Sequence, residues 1–285
     1  MEKNISILIP AKNEQENIAD CLETVKWSND VWLIDSYSTD NTKEIAASYQ
    51  NVNIVDFKYD GGWPKKKNWA IKNIPWKNNW IFILDADERI TPELEKEMKE
   101  AIQSENADGF YVRWKFYFLG KWLRHCWSGG WMVRLFHKDK AEYENLGLSS
   151  EGNWDNEVHE NIIVSGKTGL LNNYLTHYTN KDISHWIAKH NQFSTWTAAL
   201  RLKHSDIYNH YKFSDILSSD FAKRRKAMMK IYLNLPFKPM IRFVHLFFFK
   251  FGFLDGREGY YYCKCRAIHQ FQIGLKIYER NSNLS

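Results

Sequence analysis

The chain has 285 residues, 44% of them apolar and 26% charged, which suits one large domain or a domain with an appendage and excludes wholesale disorder. Four cysteines (Cys21, Cys126, Cys263 and Cys265) are too few and too scattered for a disulfide scaffold, and Cys263-x-Cys265 lacks the second ligand pair that a structural zinc site needs. The net charge of +5 is uneven: residues 223–285 hold 13 Lys/Arg against 3 Asp/Glu, a balance of +10, while residues 1–222 hold 26 against 31.

Residues 5–9, Ile-Ser-Ile-Leu-Ile, form a short apolar run ending at Pro10 and predict a buried strand. The run is too short for the core of a secretory signal. Asn13 is placed to cap a helix, with Glu16 three residues on and Ile18, Cys21, Leu22 and Val25 at helical spacing. Residues 31–34 predict a second buried strand ending at Asp35, followed by the loop Ser36-Tyr37-Ser38-Thr39-Asp40. A helix over 43–49 and a strand over 52–57 follow. Gly61-Gly62-Trp63-Pro64 reads as a turn and residues 65–73 as a helix, with Lys65, Lys66 and Lys67 at its start. If they only faced water, all three lysines would be surface charges, and at least one is expected to be so. A fourth strand, 80–84, runs into Asp85-Ala86-Asp87-Glu88, and Thr91-Pro92 opens another helix as N-cap and first-turn proline.

Strands alternating with helices predict βαβ units and a mostly parallel sheet. Acidic and polar residues lie just past the carboxyl ends of three strands (Asn13 and Glu14, Asp35, then Asp85 and Asp87), which is where open α/β sheets bind ligands. Two carboxylates at i and i+2 after a buried strand suit a hard divalent cation completed by substrate phosphates, or else form a solvated turn. Asp35 after the second strand favours the first reading.

After residue 108 the pattern changes. Residues 109–114 and 131–137 predict strands around an aromatic loop, 115–130, and the rings crowded from Trp114 to Trp131 suit sugar faces or pack as a subcore. Residues 143–167 read as irregular and hold Asp155, Glu157, His159 and Glu160. Residues 170–178 are strand-like, and from 181 onward the sequence is helical, aromatic and basic. Aromatic residues make up 16% of the chain. Lys223-Arg224-Arg225-Lys226 and the Phe-rich stretch 243–254 read as an interfacial element on an anionic leaflet or as a docked helix. No run of about 18 apolar residues predicts a transmembrane helix. Gly166-Lys167-Thr168 fails as a phosphate loop, because position 161 is Asn where that motif needs Gly.

The segment Pro10-Ala11-Lys12-Asn13-Glu14, Asp35-Ser36-Tyr37-Ser38-Thr39-Asp40 and Asp85-x-Asp87 resemble the motifs of inverting glycosyltransferase family 2. Lys66-Lys67-Asn68-Trp69-Ala70, Arg134-Leu135-Phe136, Val158-His159-Glu160, Leu175-Thr176-His177-Tyr178 and Gly252-Phe253-Leu254-Asp255-Gly256 resemble, more narrowly, the lipopolysaccharide-core β-1,4-glucosyltransferase type. The resemblance implies an α/β fold of GT-A type, Rossmann-like, with a helical C-terminal extension. It divides the chain into a catalytic domain over 1–180, with a nucleotide half to about 108 and an acceptor half after it, and a helical region over 181–285.

It also implies roles. Pro10, Ala11, Asn13, Glu14, Asp35, Lys66, Lys67, Asn68 and Asp85 would hold the nucleotide of a UDP-sugar. Where the family often has Asp-Asp, this chain has Asp35-Ser36, which leaves one carboxylate for the base. Asp87, with Asp85 and His177, would hold Mg²⁺ or Mn²⁺. Glu160 would be the catalytic base, with Glu157 and Asp155 as rivals, and Arg134, His159 and Trp131 would contact acceptor or phosphate. The expected acceptor is a lipopolysaccharide-core or other lipid-linked glycan, reached by a cytoplasmic enzyme peripheral on the inner face of the cytoplasmic membrane, with no nucleic-acid partner. A sugar-phosphate nucleotidyltransferase is the second enzyme reading, although Pro10–Glu14 lacks that class's glycine-rich loop. A non-catalytic module binding polyanions or membranes is a third, and it leaves Asp35, Asp85 and Asp87 unexplained.

Overall fold

All seven residues of β1 (Ile5–Ala11) are buried, which is why this strand shows no apolar–polar alternation. Ile5, Ile7 and Ile9 pack into one apolar cluster and Leu8 into another on the opposite face. The computed structural model describes residues 4–127, 130–145, 155, 160–178, 182–203, 212–217 and 221–282, the side chains of 221–226 and 229 excepted. The chain forms two units, residues 1–122 with 129–181 and residues 123–128 with 182–285.

In the first unit the elements run β1, α1 (Ile18–Glu23), β2 (Val31–Asp35), α2 (Thr42–Ala47), β3 (Val52–Asp56), α3 (Lys66–Asn73), β4 (Trp80–Ile83), β5 (Glu88–Arg89) and α4 (Pro92–Gln103). They continue with β6 (Gly109–Phe118), β7 (Lys121–Trp122), β8 (Met132–His137), β9 (Ala141–Tyr143), β10 (Ile162–Val164) and β11 (Thr168–His177). The main sheet has the order β3-β2-β1-β4-β8-β6-β11-β5. β3, β2, β1 and β4 are parallel, as are β6 and β11, whereas β8 and β5 run antiparallel to their neighbours. The α/β architecture with a mostly parallel central sheet is therefore as expected. The chain order reverses at β1, between β2 and β4, and the loops after these strands open at that switch point. Ala11, Asp35 and Asp56 stand level across β1, β2 and β3.

Helices cover both faces. Leu94, Met98 and Ile102 recur every fourth residue on α4 and are fully buried with Leu22 and Val25. Thr91 caps α4, its side chain accepting from Leu94 N at 3.2 Å, with Pro92 in the first turn. Ala70, Ile71 and Trp76 pack on the other face against Ile81 and Ile83. Each such fully buried aliphatic side chain contributes about 1.5–3 kcal/mol.

Several local expectations change. Asn13 does not cap a helix. Its φ is +56°, α1 begins at Ile18, and the Asn13 side chain crosses to the second loop instead. The aromatic stretch after Trp114 is largely strand: β6 runs on to Phe118, and Leu119 (φ +50°) and Gly120 (φ +80°) turn it into β7. Positive φ at both central residues is the hairpin geometry matched to strand twist. The stretch read as irregular contributes β10, antiparallel to β9. Gly166, at φ +140°, closes the turn after β10 where any Cβ would overlap the Asp108 carboxylate, and Lys167 N donates to Asp108 Oδ2 at 3.0 Å. The Gly166-Lys167 pair is thus a turn.

The second unit contains α5 (Ile183–Lys203), α6 (Phe221–Asn234), α7 (Lys238–Val244) and α8 (Gly256–Asn281). Among the described residues, no helix is long and apolar enough to cross a membrane. Lys276 on α8 donates to Asn191 O, Asn191 Oδ1, Ser194 Oγ and Thr195 Oγ1 of α5 at 2.6–2.7 Å. Beside it, His190 stacks on Trp186 with ring centroids 3.5 Å apart, and His269 Nδ1 lies 3.2 Å from His190 O.

Burial pushes His190 down to about 4 and His269 down to about 3. Unfolded histidines take up a proton near pH 6.5, which the folded ones refuse until far lower. Stability is therefore expected to fall as pH drops from about 6.5 towards 4, by about 2 kcal/mol or more from this pair. Urea midpoints measured across that range should show a flatter slope in His190→Asn/His269→Asn than in the wild type. An unchanged slope would remove the pair from the account.

Candidate active site at the strand ends

The loop after β2 is built by Asp35. Its carboxylate accepts from Ser38 N at 2.7 Å and Ser38 Oγ at 2.5 Å, and the residue has no exposed surface. The loop after β1 docks on this one. Asn13 N donates to Ser38 Oγ and Asn13 Oδ1 accepts from Thr39 N, both at 2.8 Å, while Glu14 N donates to Thr42 Oγ1 at 2.8 Å. Glu14 Oε2 accepts from Asn17 Nδ2 at 2.7 Å. Two of the expected nucleotide-binding loops thus form one platform, with Asp35 as its internal brace.

The first turn of α3 gathers the remaining carboxylates. Lys65 Nζ lies 2.6 Å from Glu160 Oε1, Lys66 Nζ 3.0 Å from Asp155 Oδ2, and Lys67 Nζ 2.9 Å from Asp85 Oδ1. Lys66 also donates to Ala11 O at 3.0 Å, at the end of β1 beyond Pro10. None of the three faces solvent, their exposures being 1%, 0% and 7%. The expectation of at least one surface lysine fails for a geometric reason. Lys65 is the extended N-cap of α3 and Lys66 and Lys67 are its first two residues, so the three side chains leave in different directions, and each meets its own carboxylate. Burial alone penalises charge; here each ammonium has an acid against it.

Asp155 also accepts from Ser36 Oγ. Burial works against its ionisation, but Lys66 and Ser36 outweigh it and hold the carboxyl below its usual range. Ser36 therefore replaces the family's second Asp with a hydroxyl that binds an acid from far along the chain. Lys66 itself is shifted down, burial exceeding the pull of Asp155.

Around Asp85-Ala86-Asp87-Glu88 the charges interlock. Arg134 donates from one amino group to Asp85 Oδ2 at 2.9 Å and to Glu88 Oε1 at 2.8 Å, and Glu88 Oε2 accepts from Asp85 N at 2.8 Å. Burial opposes the ionisation of Asp85, yet Arg134 and Lys67 hold its carboxyl well below the usual range, whereas burial pushes Glu88 up to about 7 despite Arg134. Arg134, expected at acceptor or phosphate, is 3% exposed and braces this turn from below. Arg89 braces it from the side, donating to Ala86 O at 2.9 Å and to Asn17 O at 3.0 Å. Asn68 is also a brace: its Oδ1 accepts from Tyr143 N of β9 at 3.0 Å. The sequence alone assigns no role to Glu88, Arg89 or Ser36, although Glu88 closes the stretch Asp85-Ala86-Asp87-Glu88.

His177, at the end of β11, reaches Asp87 because β11 pairs with β5: His177 stands opposite Glu88, and Tyr178 N donates to Asp87 O at 2.9 Å. His177 Nε2 lies 3.3 Å from Asp87 Oδ2. A carboxylate and an imidazole that converge in this way suit Mg²⁺ or Mn²⁺ when other oxygens complete the shell. Asp85 fits less well, since each of its oxygens already faces a cation. Among the described residues no cluster of three His, Cys, Asp or Glu side chains is arranged to hold a metal alone. Trp131 is 39% exposed before β8, with the Arg113 guanidinium 5.0 Å from its ring centroid. Glu157 and His159 lie outside the described residues. A cavity of about 580 Å³ lined by Ile71, Lys72, Trp76 and Glu142 contains none of these residues.

The family model for Glycosyl transferase family 2 matches residues 6–154. The lipopolysaccharide core biosynthesis glycosyltransferase LpsC of Rhizobium meliloti is 25% identical over 284 residues, covering 98% of this chain and 93% of that protein. An uncharacterized glycosyltransferase of Rickettsia felis is 30% identical over 201 residues, covering 68% of this chain and 69% of the relative. Among solved structures, the mannosyltransferase PcManGT of Pyrobaculum calidifontis, in complex with GDP-Man and Mn²⁺, aligns over 98% of this chain and 88% of its own at 12% identity and a TM-score of 0.48.

Proposed function

This chain belongs to glycosyltransferase family 2 and is a glycosyltransferase, and on that premise we propose that it moves a hexose, with glucose the first to test, from a UDP-sugar to a lipopolysaccharide-core or other lipid-linked glycan, with inversion. The observation that carries the proposal is the convergence of Glu160, Asp155 and Asp85 on three successive lysines, the N-cap and first two residues of α3, beside the platform braced by Asp35. The acceptor class is supported by the likeness to LpsC over nearly the whole chain.

In this reading the platform of Pro10, Ala11, Asn13, Glu14 and Asp35 receives the nucleoside. Lys67, the least buried of the three lysines, meets the diphosphate as a point charge. Asp87 and His177 would hold a divalent cation, Mg²⁺ or Mn²⁺, which when bound offsets charge on the departing UDP. Glu160 takes the proton from the acceptor hydroxyl as that oxygen attacks the anomeric carbon. A single displacement of this kind inverts the configuration. Lys65 fixes where the Glu160 carboxylate lies, and the brace of Arg134 and Glu88 fixes Asp85. The catalytic domain over 1–180 works with the helical region over 181–285 placed at the inner face of the cytoplasmic membrane.

Release of UDP from a panel of UDP-sugars, with and without Mn²⁺, tests the donor class. One donor is expected to be hydrolysed slowly and only with metal, and Asp87→Asn should lower that rate by at least about a hundredfold. Turnover of none of the panel, together with no calorimetric binding of UDP in the presence of metal, would reject the UDP-sugar assignment.

A further inference from the structure

The turn joining α7 to α8 carries an unusual load. It continues from α7 through a π-turn, His245–Phe249, and a 3₁₀ turn, Gly252–Asp255. Phe248, Phe249, Phe251, Phe253 and Leu254 on it are 55%, 71%, 54%, 46% and 58% exposed. The rings of Phe248, Phe253 and Phe251 connect through Phe247, which lies 5.2 Å from Phe248 and 6.1 Å from Phe253, while Phe253 lies 6.1 Å from Phe251, between ring centroids. Exposed apolar side chains on this scale mark a contact surface.

The turn is held firmly. Buried Asp255 accepts from Arg124 N at 3.0 Å, His125 N at 3.0 Å and Cys126 N at 2.8 Å, and lies 2.9 Å from His125 Nδ1. At Gly252 a Cβ would come within 2.9 Å of Cys126 Cβ and Cys263 Sγ, and at Gly259 within 2.3 Å of Gly252 O. Phe251 adopts φ +54°, a left-handed backbone that a bulky residue takes only where its surroundings impose it. The rings are therefore presented outward from a fixed scaffold.

The surrounding charge selects the partner. Residues 235–264 hold five cations (Lys238, Arg242, Lys250, Arg257 and Lys264) and two acids, of which Asp255 is buried. Pairing two copies of this face about a two-fold axis would set like charges against each other. An anionic lipid surface satisfies both parts, with rings in the acyl boundary and cations at the headgroups. We infer that this turn is a membrane-binding platform, inserting Phe248, Phe249, Phe251 and Phe253 into the interface of an anionic bilayer. The inference deepens the proposed working place at a membrane and rests on that reading for its purpose only, since lipid binding is measured with no donor or acceptor present.

Cosedimentation with vesicles of phosphatidylglycerol mixed into phosphatidylcholine, against phosphatidylcholine alone, tests it. The full chain should bind the anionic vesicles more tightly, and added salt should weaken that binding. Phe248→Ser/Phe249→Ser is expected to weaken partitioning by about a hundredfold, roughly tenfold per ring withdrawn. Lys250→Glu/Lys264→Glu should abolish the preference for anionic vesicles. Metal-dependent UDP-sugar hydrolysis serves as the folding control and should stay unchanged in both variants. Wild-type binding by the Phe variant, no binding by the wild type, or concentration-dependent dimers abolished by the Phe variant and unaffected by vesicles would each overturn the inference. None of these outcomes would touch the transferase reading.

Discussion

Glu160→Gln is expected to lower kcat for sugar transfer by about 10²–10⁴-fold, the usual contribution of a positioned general base, with UDP affinity changed by no more than about threefold. The amide keeps the shape of the carboxylate and still accepts from Lys65, so the variant removes basicity more than structure. The Glu160 side chain is only 2% exposed and Lys65 covers it at 2.6 Å, so the acceptor hydroxyl must displace part of that contact to reach the carboxylate. Lys65→Met should for this reason damage both folding and turnover, whereas Glu160→Gln should separate them. The rivals belong in the same assay. Asp155 is held by Lys66 and Ser36, and its side chain is 13% exposed. If Asp155→Asn or Glu157→Gln abolishes transfer to acceptor while Glu160→Gln retains it, Glu160 is a structural partner of Lys65, and the base lies elsewhere.

Arg134→Leu is expected to destabilise the fold by about 3–5 kcal/mol, the cost of leaving buried charge without its partner. For a chain of this size that lowers Tm by about 6–20 °C. Arg134 bridges Asp85 and Glu88 from within the protein; without it Asp85 keeps Lys67, but the buried Glu88 loses its ion-pair partner. The deficit should depend on pH in a particular direction. A carboxyl whose folded value is raised stabilises while protonated and loses that contribution as pH rises through the folded value. Glu88 already stands near 7 because burial exceeds the attraction of Arg134. Removing Arg134 leaves burial less opposed, so the loss should extend above pH 7 and the variant should fare worse at pH 8 than at pH 6. Arg134→Lys should fall between the two, since an ammonium supplies the charge but not the guanidinium geometry. Thermal or urea unfolding at the two pH values decides. A deficit below about 1 kcal/mol would show that Arg134 is not the brace, and its expected contact with acceptor or phosphate would stand again.

Much of this molecule is legible in its sequence, because the signals there are local. The runs at Ile5, Val31 and Trp80 are apolar but for Ser6, which marks strands buried on both faces, and the acids that follow lie at the strand ends. Thr91-Pro92 starts a helix through the chemistry of two adjacent residues. Asp85 and Asp87 announce themselves by position, directly after a buried strand.

Tertiary structure decided which charges meet. Nothing in Lys65-Lys66-Lys67 says that all three are buried; that follows from Glu160, Asp155 and Asp85 arriving from chain positions 95, 89 and 18 residues away. Asn13 looked like a cap and became a strut, because Thr39 offered its backbone N–H across the β1–β2 loops. Arg134 looked like a ligand contact and became a brace, and His177 gained Asp87 only through the pairing of β11 with β5. Apolar runs and cap residues act within a turn or two of chain, where the sequence is itself the geometry. A buried charge is settled by whichever opposite charge the fold brings within about 3 Å, and that distance is set by strand order and register rather than by neighbours in sequence.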